Sequence, residues 1–275
     1  LRQAARHVAL IVAAALFAAP LYLAVVAASR PARAMLSSVP FTPGSQLVAN
    51  LSQVLLHGLP DSAPVGRLML NSAVMALGIT FGKLVLSIPA AYAIAFFRFR
   101  GRMAAFWLIF ITLMLPIEVR FYPTYQVTAQ LGLLNNTAGL ILPLIASATA
   151  TFLFRQFFMT FPVELADAAR IDGVGPLRFL STILLPLSKV NLAAIFVLEF
   201  IYGWNQYLWP LLITTSPSQA TVVMGVKEMI SAAQSFAVPE WNLVMAVALI
   251  ALVPPVIVVI VMQRWFVKGL TSGIH

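Results

Sequence analysis

Residues 160–186 read TFPVELADAARIDGVGPLRFLSTILLP, a polar window between two apolar runs of membrane length. Its reading decides the rest. Glu164, Asp167, Arg170, Asp172 and Arg178 keep the window out of hydrocarbon, where each charge costs on the order of 2.5–3.5 kcal/mol. Pro162 suits the first turn of a helix, where its missing N–H is not needed, and Glu164 in that turn meets the positive end of the helix dipole. By i, i+3/i+4 spacing, Leu165, Ala166 and Ala169 are expected to share one small apolar face, with Asp167, Arg170 and Asp172 around it. Gly173 is the expected stop, Gly175-Pro176 restarts the helix in a new direction, and Pro186 marks the entry to the next span. The small alanines let a partner surface approach the backbone closely, so a short helix held between two spans can pass a rigid push into the membrane. A cytoplasmic amphipathic helix resting on headgroups is the other reading of these residues.

The composition of the whole chain agrees with a membrane location. Its 275 residues are 61% hydrophobic and 9% charged, with a mean hydropathy of +0.95, too little polar surface to solvate a globule of this size. The formal charge of +9 raises the question of nucleic acid, but the 17 basic residues form no groove-sized patch. They mostly flank apolar runs, as positive-inside sorting requires, so nucleic-acid binding is not expected. The absence of cysteine excludes disulfides, thiolate metal sites and cysteine nucleophiles. His7, His57 and His275 are scattered, so no metal site is expected. There is no G-x-x-x-x-G-K-[ST] phosphate loop and no recognisable nucleophilic set of Ser, His and acid, so the chain itself is not expected to be an enzyme.

Six spans are expected in an all-α integral membrane protein, forming a single transmembrane domain over 1–275. Arg2 and Arg6 precede the first, 8–29, which is long enough to cross a core of roughly 30 Å at about 1.5 Å per residue. That run is also too long for a signal-peptide core and is kept as a span. Residues 30–67, with Pro31, Pro40, Pro43, Pro60 and Pro64, read as an external connection with little helix of its own. The second span, 68–97, ends at Arg98-Phe99-Arg100-Gly101-Arg102, the clearest inside marker in the chain. The third, 103–120, breaks at Pro116, and 116–136 is expected to form a short outer helix and turn. The fourth, 137–158, returns the chain to the window at 160–186, with Arg155 snorkelling to the same side. The fifth is 187–213, followed by an external loop over 214–240. The sixth, 241–266, carries Pro254-Pro255 as an expected kink and exits through Arg264 and Lys268. Both termini are then cytoplasmic. Eleven basic residues fall on the inner side, against Arg30, Arg33, Arg67, Arg120 and Lys227 on the outer, which favours this orientation over its inverse.

Lys83 and Glu199 are the deepest charges. Pairing across the second and fifth spans is preferred over lining a polar path. Glu118 and Arg120 follow the Pro116 break, with Tyr122 nearby. Arg120 can meet an anionic solute through charge-assisted hydrogen bonds, the alternative being a contact with Glu118 or another subunit. Residues 202–210, YGWNQYLWP, place Trp204, Asn205 and Tyr207 at the end of the fifth span. An aromatic belt accounts for Trp209 and Tyr202, whereas the amides of Asn205 and Gln206 require partners in the bundle or a wet cavity. Glu118, Arg120, Tyr122, Trp204, Asn205 and Tyr207 are therefore the candidate substrate path.

Asp167-Ala168-Ala169, three residues, Gly173, nine residues and Ile183-x-Leu185-Pro186 resemble the EAA loop of ABC importer permeases, with Asp167 where that family usually has Glu. Residues 131–137, Trp204-Asn205 and the tail 268–273 look like the carbohydrate-uptake branch, which includes the maltose permease. The stretches FITLMLPIEVRFYPTY, ASATATFLFRQFFMTFPVELADAARIDG and FIYGWNQYLWPLL resemble permeases for sn-glycerol 3-phosphate and glycerophosphodiesters. The resemblance implies a type I ABC importer permease in the bacterial inner membrane. Its partners would be a homologous second permease subunit, two copies of an ATPase subunit that bind ATP and Mg, and an extracytoplasmic solute-binding protein. Glu164, Leu165, Asp167, Ala168, Ala169, Asp172 and Gly173 would then dock on the ATPase subunit. No cofactor is expected in the chain itself. The alternatives are a permease for another sugar or polyol, or an ion-coupled secondary transporter or channel.

Overall fold

The computed structural model describes residues 2–35, 41–58, 63–115, 117–233 and 238–271, and among these every regular element is helical. The chain divides into two compact units, Leu1–Ser72 with Ser216–Pro254, and Ala73–Thr215 with Pro255–His275. In chain order the helices begin with α1 (Arg2–Ala28), α2 (Leu47–Leu56) and α3 (Val65–Phe96). They continue with α4 (Arg102–Met114), α5 (Ile117–Gln130), α6 (Thr137–Ile141) and α7 (Ala148–Met159). Next come α8 (Val163–Ile171), α9 (Pro176–Phe179) and α10 (Leu185–Leu187), then α11 (Lys189–Trp204) and α12 (Leu208–Ile213), and finally α13 (Val222–Ala233) and α14 (Trp241–Thr271).

In the first unit the proline-rich connection after α1 holds more helix than expected. Asn50 on α2 explains this: its amide donates to the Ala28 and Arg30 carbonyls at 2.8 and 3.2 Å, meeting acceptors that the end of α1 leaves open. Ser29 completes the junction, accepting from the Gly44 N–H at its hydroxyl (2.7 Å) and from the Gln46 N–H at its carbonyl (2.8 Å). The segment expected as a plain loop over 214–240 also folds, into α13. The Val222 N–H at its start donates to Ser72 Oγ at 2.8 Å, and the Asn71 amide donates to the Ser218 and Ala220 carbonyls, each at 2.9 Å. Local propensity could not reveal either helix, because each is held by polar side-chain bonds to a neighbouring element, from Asn50 of α2 itself in one case and from Asn71 and Ser72 of α3 in the other.

Among the described residues the second unit holds two apolar clusters. One gathers Tyr92, Phe154, Phe158, Ala166, Ala169, Phe179, Leu184 and Ile195, and the other gathers Met75, Ile79, Leu140, Trp209 and Ile213. Caps set the local turns. Asn136 Oδ1 accepts from the Ala138 N–H at the start of α6, and Ser147 Oγ accepts from the Ala150 N–H at the start of α7. Asn135 adopts φ +53° and ties this corner to the end of α12, receiving the Thr215 N–H at 2.7 Å and donating its own N–H to the Ile213 carbonyl at 3.0 Å.

Three helices, Gln3–Ala28, Val65–Phe96 and Trp241–Gln263, are long and apolar enough to cross a membrane. Two bent pairs bring the number to five among the described residues: Thr137–Leu144 with Ala148–Met159 at 45°, and Pro176–Leu187 with Lys189–Trp204 at 82°. The segment expected as a third span is divided between the 13-residue α4 and the separate α5, so α4 alone is shorter than the roughly 20 residues of a full crossing. Pro116, the expected break, lies outside the described residues. α14 runs as one helix through Pro254 and Pro255.

Candidate functional site

The 160–186 window forms a helix, a stop and a restart. Pro162 sits at the N-cap of α8, with Glu164 in the first turn. The helix ends in a Schellman motif: the Val174 N–H donates to the Ala169 carbonyl at 2.9 Å, and the Gly173 N–H donates to the Arg170 carbonyl at 3.1 Å. Gly173 adopts φ +71°, the left-handed conformation this closure requires. Pro176 opens α9, which passes through a π turn at Leu180–Leu184 into α10.

The two faces of α8 differ from the expected arrangement. Ala166 and Ala169, 7% and 5% exposed, rest on an aromatic bed that includes Tyr92, Phe158 and Phe179, with Phe96 and Phe161 packed against it. The ring pairs Phe96–Phe179 (5.7 Å), Phe96–Phe161 (6.3 Å) and Phe161–Phe179 (6.1 Å) make this bed a connected layer. The Tyr92 hydroxyl donates to the Pro176 carbonyl at 3.1 Å and fastens the restart to α3. Leu165, expected beside these alanines, is exposed, because it lies about 100° around the helix from Ala166. Glu164, Asp167, Ala168, Asp172 and Gly173 are exposed with it, while Ala169 faces inward and serves as seat rather than surface. Sequence reasoning missed the most prominent side chains here. Ile171 is 86% exposed and Leu177 is 80% exposed, one on each side of the Gly173 stop. The available signal was a pair of large apolar residues bordering a glycine turn in a polar window. Asp167 accepts from Arg170 Nη1 at 2.8 Å, an exposed i, i+3 pair.

The preferred pairing of the deep charges is present. Lys83 Nζ lies 2.6 Å from Glu199 Oε2, with both side chains buried. Ser147 Oγ donates to the other carboxylate oxygen at 3.0 Å, and the Lys83 ammonium stands 3.6 Å from the centre of the Tyr202 ring. Ser147 and Tyr202 were not anticipated as partners. Arg120, exposed, borders a small cavity of about 80 Å³ together with Thr124, Tyr202 and Trp209. The other path candidates do not converge on it. Tyr122 is exposed and accepts from Gln126 Nε2 at 3.0 Å, and Asn205 is exposed at the C-cap of α11. Tyr207 is half-buried at the start of α12. Trp204 is buried and stacked on Phe200 at 5.8 Å, a core position. The Glu118 side chain lies outside the described residues.

The profile of the binding-protein-dependent transport system inner membrane component family matches residues 83–272. The chain belongs to that family. The matched portion begins at Lys83 and takes in α8, Glu199 and Trp204, so both the stop-and-restart turn and the ion pair lie within the permease-family region. The chain is similar to the sn-glycerol-3-phosphate transport system permease protein UgpE of Yersinia pestis, 55% identical over 269 residues, 97% of this chain and 95% of the relative. The protein of the same name from Escherichia coli O157:H7 is 54% identical over 270 residues, with the same shares covered. A crystal structure of a bacterial ABC transporter involved in the import of the acidic polysaccharide alginate shares the fold, with a TM-score of 0.82 over 96% of both chains at 22% identity. This member of the permease family is an integral membrane protein, as its apolar helices require.

Proposed function

We propose that this chain is a membrane-spanning permease subunit of an ATP-driven importer in the bacterial inner membrane, and that the solute is sn-glycerol 3-phosphate or a glycerophosphodiester. The similarity to UgpE proteins along 97% of the chain supports the solute class. The observation that carries the mechanism is the division of α8 into a seated inner face and a bare outer one. Two alanines on an aromatic layer make the helix hard to rock independently of the bundle, while Ile171, Leu165 and Ala168 remain for a partner. In this reading the partner is the ATPase subunit, present in two copies that bind ATP and Mg, and Glu164, Asp167 and Asp172 ring the contact. A homologous second permease and an extracytoplasmic solute-binding protein complete the assembly. The whole chain acts as one six-span permease domain with both termini cytoplasmic, and α4 together with the segment after it makes the third crossing. Closure of the ATPase pair moves the docked helix, and the bundle opens outward to receive solute.

Arg120 is the proposed phosphate-facing residue of the path, beside Thr124, Tyr202 and Trp209, and Glu118, Tyr122, Asn205 and Tyr207 are proposed as further path residues away from that cavity. Trp204 supports this region from the core. An ion-coupled transporter would need free charges on its path, and Lys83 and Glu199 instead neutralise each other.

Reconstitution of the chain with its copurifying subunits tests the proposal. ATP hydrolysis should rise when the binding protein is loaded with sn-glycerol 3-phosphate or glycerophosphocholine, and Arg120→Gln should weaken that stimulation. A chain that purifies alone and transports without ATP would overturn the reading.

A further inference from the structure

A second site lies beside the coupling helix, in a groove of about 760 Å³ bordered by the end of α3, the start of α4, the end of α7 and α8. Three of its wall residues are Arg98, Arg102 and Arg170, and no carboxylate lines it. The rest of the wall is apolar and includes Phe97, Phe161 and Met159. Phe97 and Met159 are exposed, so the apolar part opens outward. The guanidinium groups retain donors for a ligand. Arg98 makes no hydrogen bond or ion pair among the described residues, Arg102 reaches only the Phe97 carbonyl at 3.5 Å, and Arg170 gives one nitrogen to Asp167. α3 and α7 each belong to a span or bent span and end at this groove, which places it where hydrocarbon gives way to water.

We infer that the groove between Arg98, Arg102 and Arg170 binds the headgroup of one anionic phospholipid. Guanidinium pairs suit a phosphodiester through parallel N–H donors, and basic pockets between spans on the cytoplasmic side take up anionic headgroups. The volume and the apolar wall favour a lipid over a small free anion. A phosphate ion would use the arginines and leave the exposed Phe97 and Met159 uncovered. Such a lipid would touch α8 from the membrane side through Arg170 and thereby stiffen the seat on which the coupling helix rests. The inference rests on the proposed orientation, with this groove at the cytoplasmic face, and it stands or falls independently of which solute is carried.

The intact complex in nanodiscs of phosphatidylethanolamine and phosphatidylcholine, titrated with phosphatidylglycerol and read by native mass spectrometry, tests it. The Arg98→Gln/Arg102→Gln variant should bind phosphatidylglycerol roughly fivefold more weakly for each charge removed. The Arg98→Lys/Arg102→Lys variant should recover much of the loss, and Arg67→Gln should leave binding unchanged. Unchanged thermal stability of the glutamine variant separates this from misfolding, and if that variant is unstable, the lysine pair and Arg170→Gln supply the same comparison. Equal affinity of wild type and variant would overturn the inference, as would an equal loss in Arg67→Gln. Displacement of the lipid from wild type by millimolar inorganic phosphate or sn-glycerol 3-phosphate would assign the groove to a soluble phosphate. Lipid binding only after removal of the ATPase subunits would assign it to an acidic protein surface.

Discussion

Lys83 and Glu199 form a buried pair whose second carboxylate oxygen is satisfied by Ser147. Removing one partner strands a charge away from water, while removing both strands none. Lys83→Met or Glu199→Leu alone should therefore cost about 3–5 kcal/mol, and the double variant should recover most of it. Thermal unfolding of the three proteins in detergent measures this, and additive losses would contradict the pairing. Gly173 presents a different constraint. A Cβ added there meets nothing within 4 Å, so a substitution is opposed by its φ of +71° and not by crowding. Alanine should cost about 1–2 kcal/mol and asparagine less. Gly173→Pro, locked near φ −65°, cannot close the motif at all. That variant should insert normally yet hydrolyse ATP without uptake in proteoliposomes. Normal transport by it would make the turn a passive connection.

At the scale of elements, the opposite faces of α8 predict opposite phenotypes. A bulky charged residue at Ala168 should leave thermal stability unchanged within about 0.5 kcal/mol and abolish solute-stimulated ATP hydrolysis, because it obstructs a bare surface. Ala169→Phe should instead lower the melting temperature, because an inserted ring overpacks a filled aromatic bed at a cost of about 1–3 kcal/mol. Reversed outcomes would invert the assignment of faces. Much of this helix was legible in sequence. Pro162, Glu164 and Gly173 act within a few residues of where they stand in the chain, so their roles follow from local chemistry. Leu165 was placed on the wrong face because its spacing fits the inward stripe only if the stripe is broad, and the contacts of Phe96, Phe158 and Phe179 make it narrow. Local chemistry was also silent on α2 and α13. Asn50 and Ser72 hold them by bonds whose partners are 22 and 150 positions away.

For the molecule as a whole, the proposed topology assigns each exposed position to one side of the membrane. The natural absence of cysteine makes single-cysteine labelling clean. Ile171→Cys should react with a membrane-impermeant maleimide only in inside-out vesicles, and Leu131→Cys, on the turn after α5, only in right-side-out ones. Ile171→Cys should also lose its reactivity once the ATPase subunits assemble. Labelling of Ile171→Cys from the exterior would overturn both the orientation and the docking assignment. The number of spans was less legible than the membrane location, because hydropathy counts apolar length and cannot see where a helix turns. The interruption at 145–147 redirects the chain inside a stretch that read as continuous, whereas the bend at Ser188 falls at the expected entry to the fifth span.

The bend at Ser188 gives the proposed coupling a direction. α9 and α10 continue directly from the docking turn, and α11 leaves them at 82° carrying Glu199. A bell crank works this way: a thrust along one arm becomes a sweep of the other. Under the proposed docking, short travel at the ATPase would reach Glu199, which Lys83 and Ser147 grip, as sideways rotation in the bilayer.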